Sequence, residues 1–479
     1  MTSGGATGGD GVRSDAGGDP LVVVGGGITG LAAAWEGMQQ GMDVTLREAS
    51  DRLGGLIRTS GMPLGDGTTM EIDEAADAFL ARVPEAVELC EELGLADRFT
   101  EPAATRAMVH TAEGLRWFPD NTVLGVPLDP SDVEATGLLD ERGLASVRSE
   151  VARDDEPLTG DTSVGALLRE RFGSQLVDRV VGPLVGGISA GDVDEMSLRA
   201  TTPQLAAAAS RPGSLSANLG EARGSAPQGP VFHGLLGGTG VLVDTLAREL
   251  EQRGAELCTS DPVGRLRDED LEGHCFVVTT GASIAADLLA GVSPGAAEMI
   301  ATIPTATVVL VTYVFDAADP TVGAAVGSGA SGFLVPRGSG LLLTAVSWGS
   351  NKWSHWNDGR HVVVRASAGH SKDARVESMS DQEVSAAILS DLATTAGITA
   401  SPAAVRVSRW VDGFHQYGVG HLDAVERAER TLASETAGRV AIAGAAYRGV
   451  GIPACIRQGR EAVRSFGGGV PLDGAVTPR

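Results

Sequence analysis

The chain has 479 residues, 43% of them hydrophobic, which suits about three domains with sizeable cores. Its formal charge of −25, with no concentrated basic patch to offset it, excludes nucleic acid and anionic membrane surfaces as partners. Cys90, Cys258, Cys275 and Cys455 form no C-x-x-C pair and the eight histidines show no ligand spacing, so no metal site or disulfide framework is expected, and a reducing, cytoplasmic setting is.

Residues 1–19, rich in Gly, Ser and Asp, lack the basic start and apolar stretch of a signal peptide and read as a disordered tail. An apolar strand at 21–24 then runs into Gly25, Gly26 and Gly27, and Gly30 completes a G-x-G-x-x-G spacing at the start of a helix expected over 28–40. Gly25 permits the sharp turn, Gly27 permits close approach of a pyrophosphate, and Gly30 lets helix pack on strand. The free amides around Ile28 and Thr29, with the helix dipole, favour an anion. A second strand at 44–46 leads to Glu48, 23 residues after Gly25, where a carboxylate can bind an adenosine ribose. Strand, turn, helix, strand and acid in this order predict dinucleotide binding.

Residues 77–95 carry apolar positions at helical spacing, and 105–208 read as a mainly helical insert. Another glycine turn and amphipathic helix follow at 235–254, then a buried strand beginning at Cys275. The run "ATVVLVTYVF" falls far short of the ~20 residues of a spanning helix and is rich in β-branched residues, so it reads as a buried strand. Strands dominate 305–411 and predict a mostly antiparallel sheet. The closing "RVAIAGAAYRGVGIPACIRQGREAV" reads as strand, glycine loop and helix. Its Gly449, Gly451 and Ala454 mimic a second dinucleotide fingerprint, but too little chain follows for a full βαβ unit. Pro453 instead marks a helix start whose amides suit the negative charge of a reduced flavin.

The stretch "EASDRLGGLIRT", a second glycine turn just after the ribose acid, resembles FAD proteins of the amine oxidase and protoporphyrinogen oxidase superfamily. Together with "VVVGGGITGLAAA", "LVGGISAGDVDEMSLRA", "SGFLVPRGSG", "SNKW", "YGVGHLDAV" and "AGAAYRGVGIPACIRQG", it makes the chain similar to the protoporphyrinogen/coproporphyrinogen oxidase family over almost everything after residue 19. The resemblance implies an α/β chain. A Rossmann-like FAD-binding domain would occupy 20–80, 209–290 and 436–479, an inserted mixed-sheet substrate domain 81–104 and 291–435, and a mainly helical domain 105–208.

By position, the resemblance implies pyrophosphate contacts from Gly25 to Gly30, ribose contacts at Glu48 and Ala49, and flavin-side contacts at Arg52, Gly55 and Leu56. Val263 would meet adenine. Ala75, Ala76, Asp77 and Ala78 match a loop near the isoalloxazine ring, as do Trp410, Ala445, Val450, Gly451 and Ile452. Arg106, Gly187, Ile188, Ser189, Phe333, Leu334, Val335 and Lys352 match positions bordering the porphyrinogen cavity, with Arg337 a further cation for propionates. The chain departs from the family at Arg47, usually apolar, and at Ala75, usually Gly. The implied chemistry is six-electron oxidation of a porphyrinogen by noncovalent FAD and O2, with H2O2 as by-product. No membrane insertion or nucleic acid is implied. No Ser-His-Asp or paired-carboxylate constellation appears, so no catalytic side chain is singled out. Amine oxidases and carotenoid desaturases share the opening and closing motifs, and a flavin scaffold without turnover is a third reading.

Overall fold

The computed structural model describes residues 19–64, 67–224 and 229–467. Most of the tail expected to be disordered and the end of the last expected FAD-domain segment, 468–479, lie outside the described residues. The fold is α/β, built on two sheets of opposite character.

The first is a five-stranded parallel sheet, in the order Glu256–Cys258, Val44–Arg47, Leu21–Val24, Cys275–Val278, Val440–Ile442. Its central strands are short apolar runs, as strands covered on both faces should be. Helix Ile28–Gln39 lies against one face, covered in turn by the closing helix Ile452–Arg464. These two helices approach closely at Gly459, where a Cβ would stand 2.3 Å from the Thr29 carbonyl oxygen. On the other face, Ala282–Leu289, Pro294–Ala301 and His421–Glu435 bury Leu288, Ile300, Val425 and Leu432 together.

The second sheet has seven strands, in the order Ala404–His415, Thr305–Asp316, His361–Ala368, Leu343–Trp348, Gly332–Leu334, Ala107–Thr111, Gly114–Trp117. All pairs are antiparallel except Gly332–Leu334 with Ala107–Thr111. Directly opposed residues share a face, and the two faces differ. Val309, Val311, Tyr313, Val346, Trp348, Val364 and Ala366 pack with Val384, Ile388 and Leu392 of helix Asp381–Ala396. The alternate residues give the rows Ser347, Arg365, Thr312, Arg406 and Ala345, Ser367, Leu310, Ser408, a polar face.

Three segments fall outside the expected partition. The hairpin within 107–117 extends this sheet rather than the helical insert. Helix Pro84–Glu92 buries Ala86, Leu89 and Cys90 with the parallel sheet. Helix Leu215–Gly224 buries Leu215 and Leu219 in the helical core, among Leu168, Phe172 and Val180. In each case the segment's own periodicity gives the element, while the surface that receives it is set by distant chain.

No helix among the described residues is long and apolar enough to cross a membrane, and none of their His, Cys, Asp and Glu clusters could hold a metal ion.

Candidate functional site

The two glycine turns lie against each other. Gly54 N donates to Gly26 O at 2.8 Å, and a Cβ on Gly55, at φ +57°, would meet the Gly27 Cα at 3.2 Å. Gly30 is required because a Cβ there would sit 1.9 Å from Gly25 O. A Cβ on Gly27 would meet nothing within 4 Å, and no side chain caps the helix it precedes, so the mouth of the turn stays open to an anion. Arg52 locks the second turn by donating to Leu53 O at 3.1 Å and to Gly55 O at 2.5 Å. Beyond it, Leu56 is 40% exposed. The Glu48 carboxylate accepts from Gly26 N at 2.7 Å and Ser50 N at 2.8 Å, which leaves acceptor capacity for a ribose hydroxyl. Ala49 is exposed beside it, and Val263 packs at the edge of the core behind the sheet. Arg47 is turned to Asp261 in a 2.6 Å ion pair.

Loop 75–78 leaves the hairpin Thr59–Pro63/Thr69–Asp73 and meets the polar face of the second sheet. Arg365 donates to Asp77 Oδ2 at 2.8 Å and to Ala75 O, while Lys352 reaches Asp77 Oδ1 at 2.9 Å. Burial alone would raise the Asp77 carboxyl, but these two cations hold it well below the usual carboxylate range. Ala76 O accepts from Thr239 Oγ1 at 2.9 Å, and Ala78 packs beside Trp353 and Trp356. Ala75 has no positive φ, so it needs no glycine freedom. Asp73 accepts from Thr59 Oγ1 and from both Thr239 N and Oγ1; burial raises its carboxyl despite those bonds.

Loop 443–451 connects the last parallel strand to the closing helix, whose start at Gly451 also lacks a side-chain cap and carries Pro453 in its first turn. Ala445 and Val450 are half-buried, Gly451 is exposed and Ile452 is 8% exposed. Cys455 is buried behind this loop, and burial pushes its thiol up to about 11, far from the thiolate needed for covalent chemistry.

The structure therefore gathers 25–30, 48–56 and 445–452 at the C-terminal ends of the parallel strands, while loop 75–78 meets the polar face of the second sheet. Among the described residues, buried Thr280 Oγ1 beside the first glycine turn, Trp410 Nε1, Ser347 Oγ and Arg365 Nε have no hydrogen-bond partner. Open glycine mouth, free ribose acceptor and orphaned polar atoms are a donor set that fits a flavin dinucleotide.

The profile of the flavin containing amine oxidoreductases matches residues 28–465. The chain belongs to the flavin-containing amine oxidoreductase family. It is 35% identical over 463 residues to the coproporphyrinogen III oxidase of Mycobacterium leprae (strain TN), covering 93% of this chain and 97% of that protein. It is 30% identical over 468 residues to the coproporphyrinogen III oxidase of Bacillus subtilis (strain 168), covering 92% and 97%. A crystal structure provisionally described as a protoporphyrinogen oxidase, from Exiguobacterium sp. 255-15, superposes with a TM-score of 0.82 at 29% identity, covering 95% of this chain and 99% of that one.

Within this flavin family fold, the expected substrate residues divide. Gly187 faces open space and Ile188 is 53% exposed at the end of helix Gly182–Ser189, which is tied to the sheet by Gln416 Nε2 donating to Ser189 O at 2.9 Å. Leu334 lies on the polar face, opposite Ala345. Phe333 and Val335 point the other way into the core, 1% and 5% exposed, with Phe333 tilted on Trp348. Arg106 lies on the exposed outer hairpin, bidentate to Asp120 at 3.0 and 2.8 Å and stacked over Trp117. Lys352 is committed to Asp77. Arg337 donates to Gly191 O and to His370 Nδ1 and has no carboxylate within 4 Å among the described residues. Arg365 was missed by the sequence reading; its only signal was a lone cation inside "RHVVVRASAG".

Proposed function

We propose that this chain is an FAD-dependent oxidase that converts coproporphyrinogen III to coproporphyrin III in haem biosynthesis, acting in the cytoplasm with O2 as acceptor. The reading is carried by the polar sheet face that meets loop 75–78, in a chain similar over nearly its whole length to proteins named coproporphyrinogen III oxidase. Three two-electron steps remove six electrons and six protons in all, and three O2 become three H2O2. Noncovalently bound FAD supplies hydride acceptance and delivery of electrons to O2. Each step also sheds a pyrrole N–H proton, and tautomerisation completes it without a dedicated protein base.

The protein's own part is placement. Residues 25–30, Glu48 and Arg52 hold the dinucleotide; loops 75–78 and 445–452 border the ring. Leu334 and Ser367, half-buried on the polar sheet face, would border the macrocycle, and the Asp77–Lys352–Arg365 cluster ties that face to loop 75–78. Arg337, near Asp192 and Asp194 but in ion-pair contact with neither, is a cation open to a propionate; Arg106 and Lys352 would have to leave Asp120 and Asp77 to serve. This assignment places the flavin domain in 20–80, 209–290 and 436–479, amended so that helix Pro84–Glu92 joins it and helix Leu215–Gly224 goes to the helical part, with the inserted segments supplying the substrate side.

The test is anaerobic mixing of the flavin-loaded protein with coproporphyrinogen III and, separately, protoporphyrinogen IX, followed by kcat/KM for each with and without liposomes. Flavin bleaching with a preference for coproporphyrinogen and no lipid dependence supports the reading. Preference for protoporphyrinogen, or dependence on lipid, moves the chain to the other branch of these oxidases. No bleaching by either sinks the porphyrinogen reading.

A further inference from the structure

Between strand Ala404–His415 and helix His421–Glu435, Tyr417 sits where all three parts of the molecule meet. It is 5% exposed. Its main-chain oxygen accepts from Ser197 N of the helical insert at 2.8 Å. Its hydroxyl donates to Ala445 O at 2.7 Å and accepts from Gly449 N at 3.0 Å, so one oxygen spans the loop that borders the flavin. Its ring stacks on His421, centroids 4.1 Å apart at 14°, and His421 Nε2 donates to Tyr447 O at 2.8 Å.

That loop has one internal backbone bond, from Tyr447 N to Gly444 O, and is otherwise shaped by contacts from outside it. Gly444 and Gly449 have φ of +131° and +121°, conformations that glycine reaches but does not prefer over others. Gln458 supports it through Gly444 N, Arg448 N and Gly449 O, but Gln458 belongs to the helix that the loop feeds and moves with it. Tyr417 and its neighbour His421 tie the loop to the rest of the chain together with the Arg448–Glu429 ion pair and the bond from Ala443 N to Val278 O; of these four ties only Tyr417 reaches both Ala445 and Gly449. Burial raises the Tyr417 hydroxyl far above its ordinary range, so it stays protonated and keeps donating to Ala445 O.

We propose that Tyr417 is a positioning residue that sets the flavin-bordering loop against the substrate sheet and the helical insert through the two hydrogen bonds of its hydroxyl. The proposal rests on the flavin reading and not on the identity of the oxidised substrate. Tyr417→Phe keeps the ring and its stack on His421 but strands Ala445 O and Gly449 N. His421→Leu leaves the hydroxyl in place and removes the ring stack and the bond to Tyr447 O.

The experiment compares FAD dissociation constants by fluorescence titration, the visible circular dichroism of bound flavin, and the thermal unfolding midpoint of each apo chain. For Tyr417→Phe, Kd should rise about tenfold or more with an altered dichroism band. The apo midpoint should stay within a few degrees of wild type, and His421→Leu should raise Kd less. Unchanged Kd and dichroism in Tyr417→Phe overturn the proposal. So do a Tyr417→Phe chain that fails to fold, which assigns the hydroxyl to stability, and a His421→Leu effect as large or larger, which assigns the role to the stack. Wild-type protein that takes up no FAD is a failure of the cofactor reading instead, and is seen before any variant is made.

Discussion

Asp77→Asn tests how the seven-stranded sheet is held to loop 75–78. The substitution keeps the side chain's shape while removing the charge shared by Lys352 and Arg365. The two cations are placed differently: the Lys352 side chain is 23% exposed, whereas that of Arg365 is 5% exposed. Lys352 can swing its ammonium into water on a flexible stem, but Arg365 is trapped in the sheet with Nε already unpartnered. Breaking a buried pair by removing one partner costs about 3–5 kcal/mol. Because one cation can escape, Asp77→Asn should cost about 3 kcal/mol, most of it through Arg365. Double-mutant cycles separate the shares: coupling of Asp77 with Arg365, using Arg365→Gln, should be about 2–3 kcal/mol, and with Lys352, using Lys352→Gln, about 1 kcal/mol or less. The assay is urea unfolding of the apo chain by tryptophan fluorescence, for which Trp353 and Trp356 report locally, lying 5.2 Å from Lys352 Nζ and 5.6 Å from the Arg365 guanidinium. Equal couplings, or an Asp77→Asn chain as stable as wild type, would refute this account of the contact.

Gly459→Ala should destabilise the chain by about 1–3 kcal/mol in the same assay, since its Cβ would meet the Thr29 carbonyl oxygen at 2.3 Å; unchanged stability would show that the two helices can separate at no cost. Glu48→Ala should weaken FAD binding by about 1.5–3 kcal/mol in a fluorescence titration through loss of a charged acceptor, and an unaltered Kd would remove Glu48 from the site. Burial pushes the His415 imidazole down to about 4, and its Nε2 accepts from Ala282 N at 3.1 Å, so it folds neutral. The unfolded chain takes up that proton first. This residue's contribution is therefore full above pH ~6.5 and falls by about 3 kcal/mol as pH drops towards 4; His415→Asn should flatten the pH dependence of stability over that window, and an unchanged slope would count against it.

The glycine turns, the first parallel strands and the α/β class were legible because their requirements are local: a tight turn, a helix start and an apolar run announce themselves within a few residues. The helix expected over 28–40 is found at Ile28–Gln39, and the strand expected at 44–46 at Val44–Arg47. What was not legible depends on chain far away. Arg365 meets Asp77 across 288 residues, so nothing near either position reveals the pair. Strand Gly332–Leu334 has only three residues, too few for alternation to show which side faces the core, and only its pairing with Val346 and Ala345 separates Phe333 from Leu334. The hairpin within 107–117 carries strand periodicity, but its parallel seat beside Gly332–Leu334 is a property of the assembled sheet.

The nesting of the first helix under the last has a consequence for biosynthesis. Helix Ile28–Gln39 is synthesised about 400 residues ahead of Ile452–Arg464, the helix that covers its Thr29–Ala33 face. Strand Cys275–Val278 likewise waits for Val440–Ile442 to close its outer edge. A nascent chain thus carries its dinucleotide motif with an uncovered apolar flank for most of translation, and closing so long a loop is slow. The complete set of glycine turns and covering loop exists only after the closing helix has docked. A premature stop anywhere before the closing helix yields a chain that keeps the whole fingerprint and lacks the cover that makes it a site.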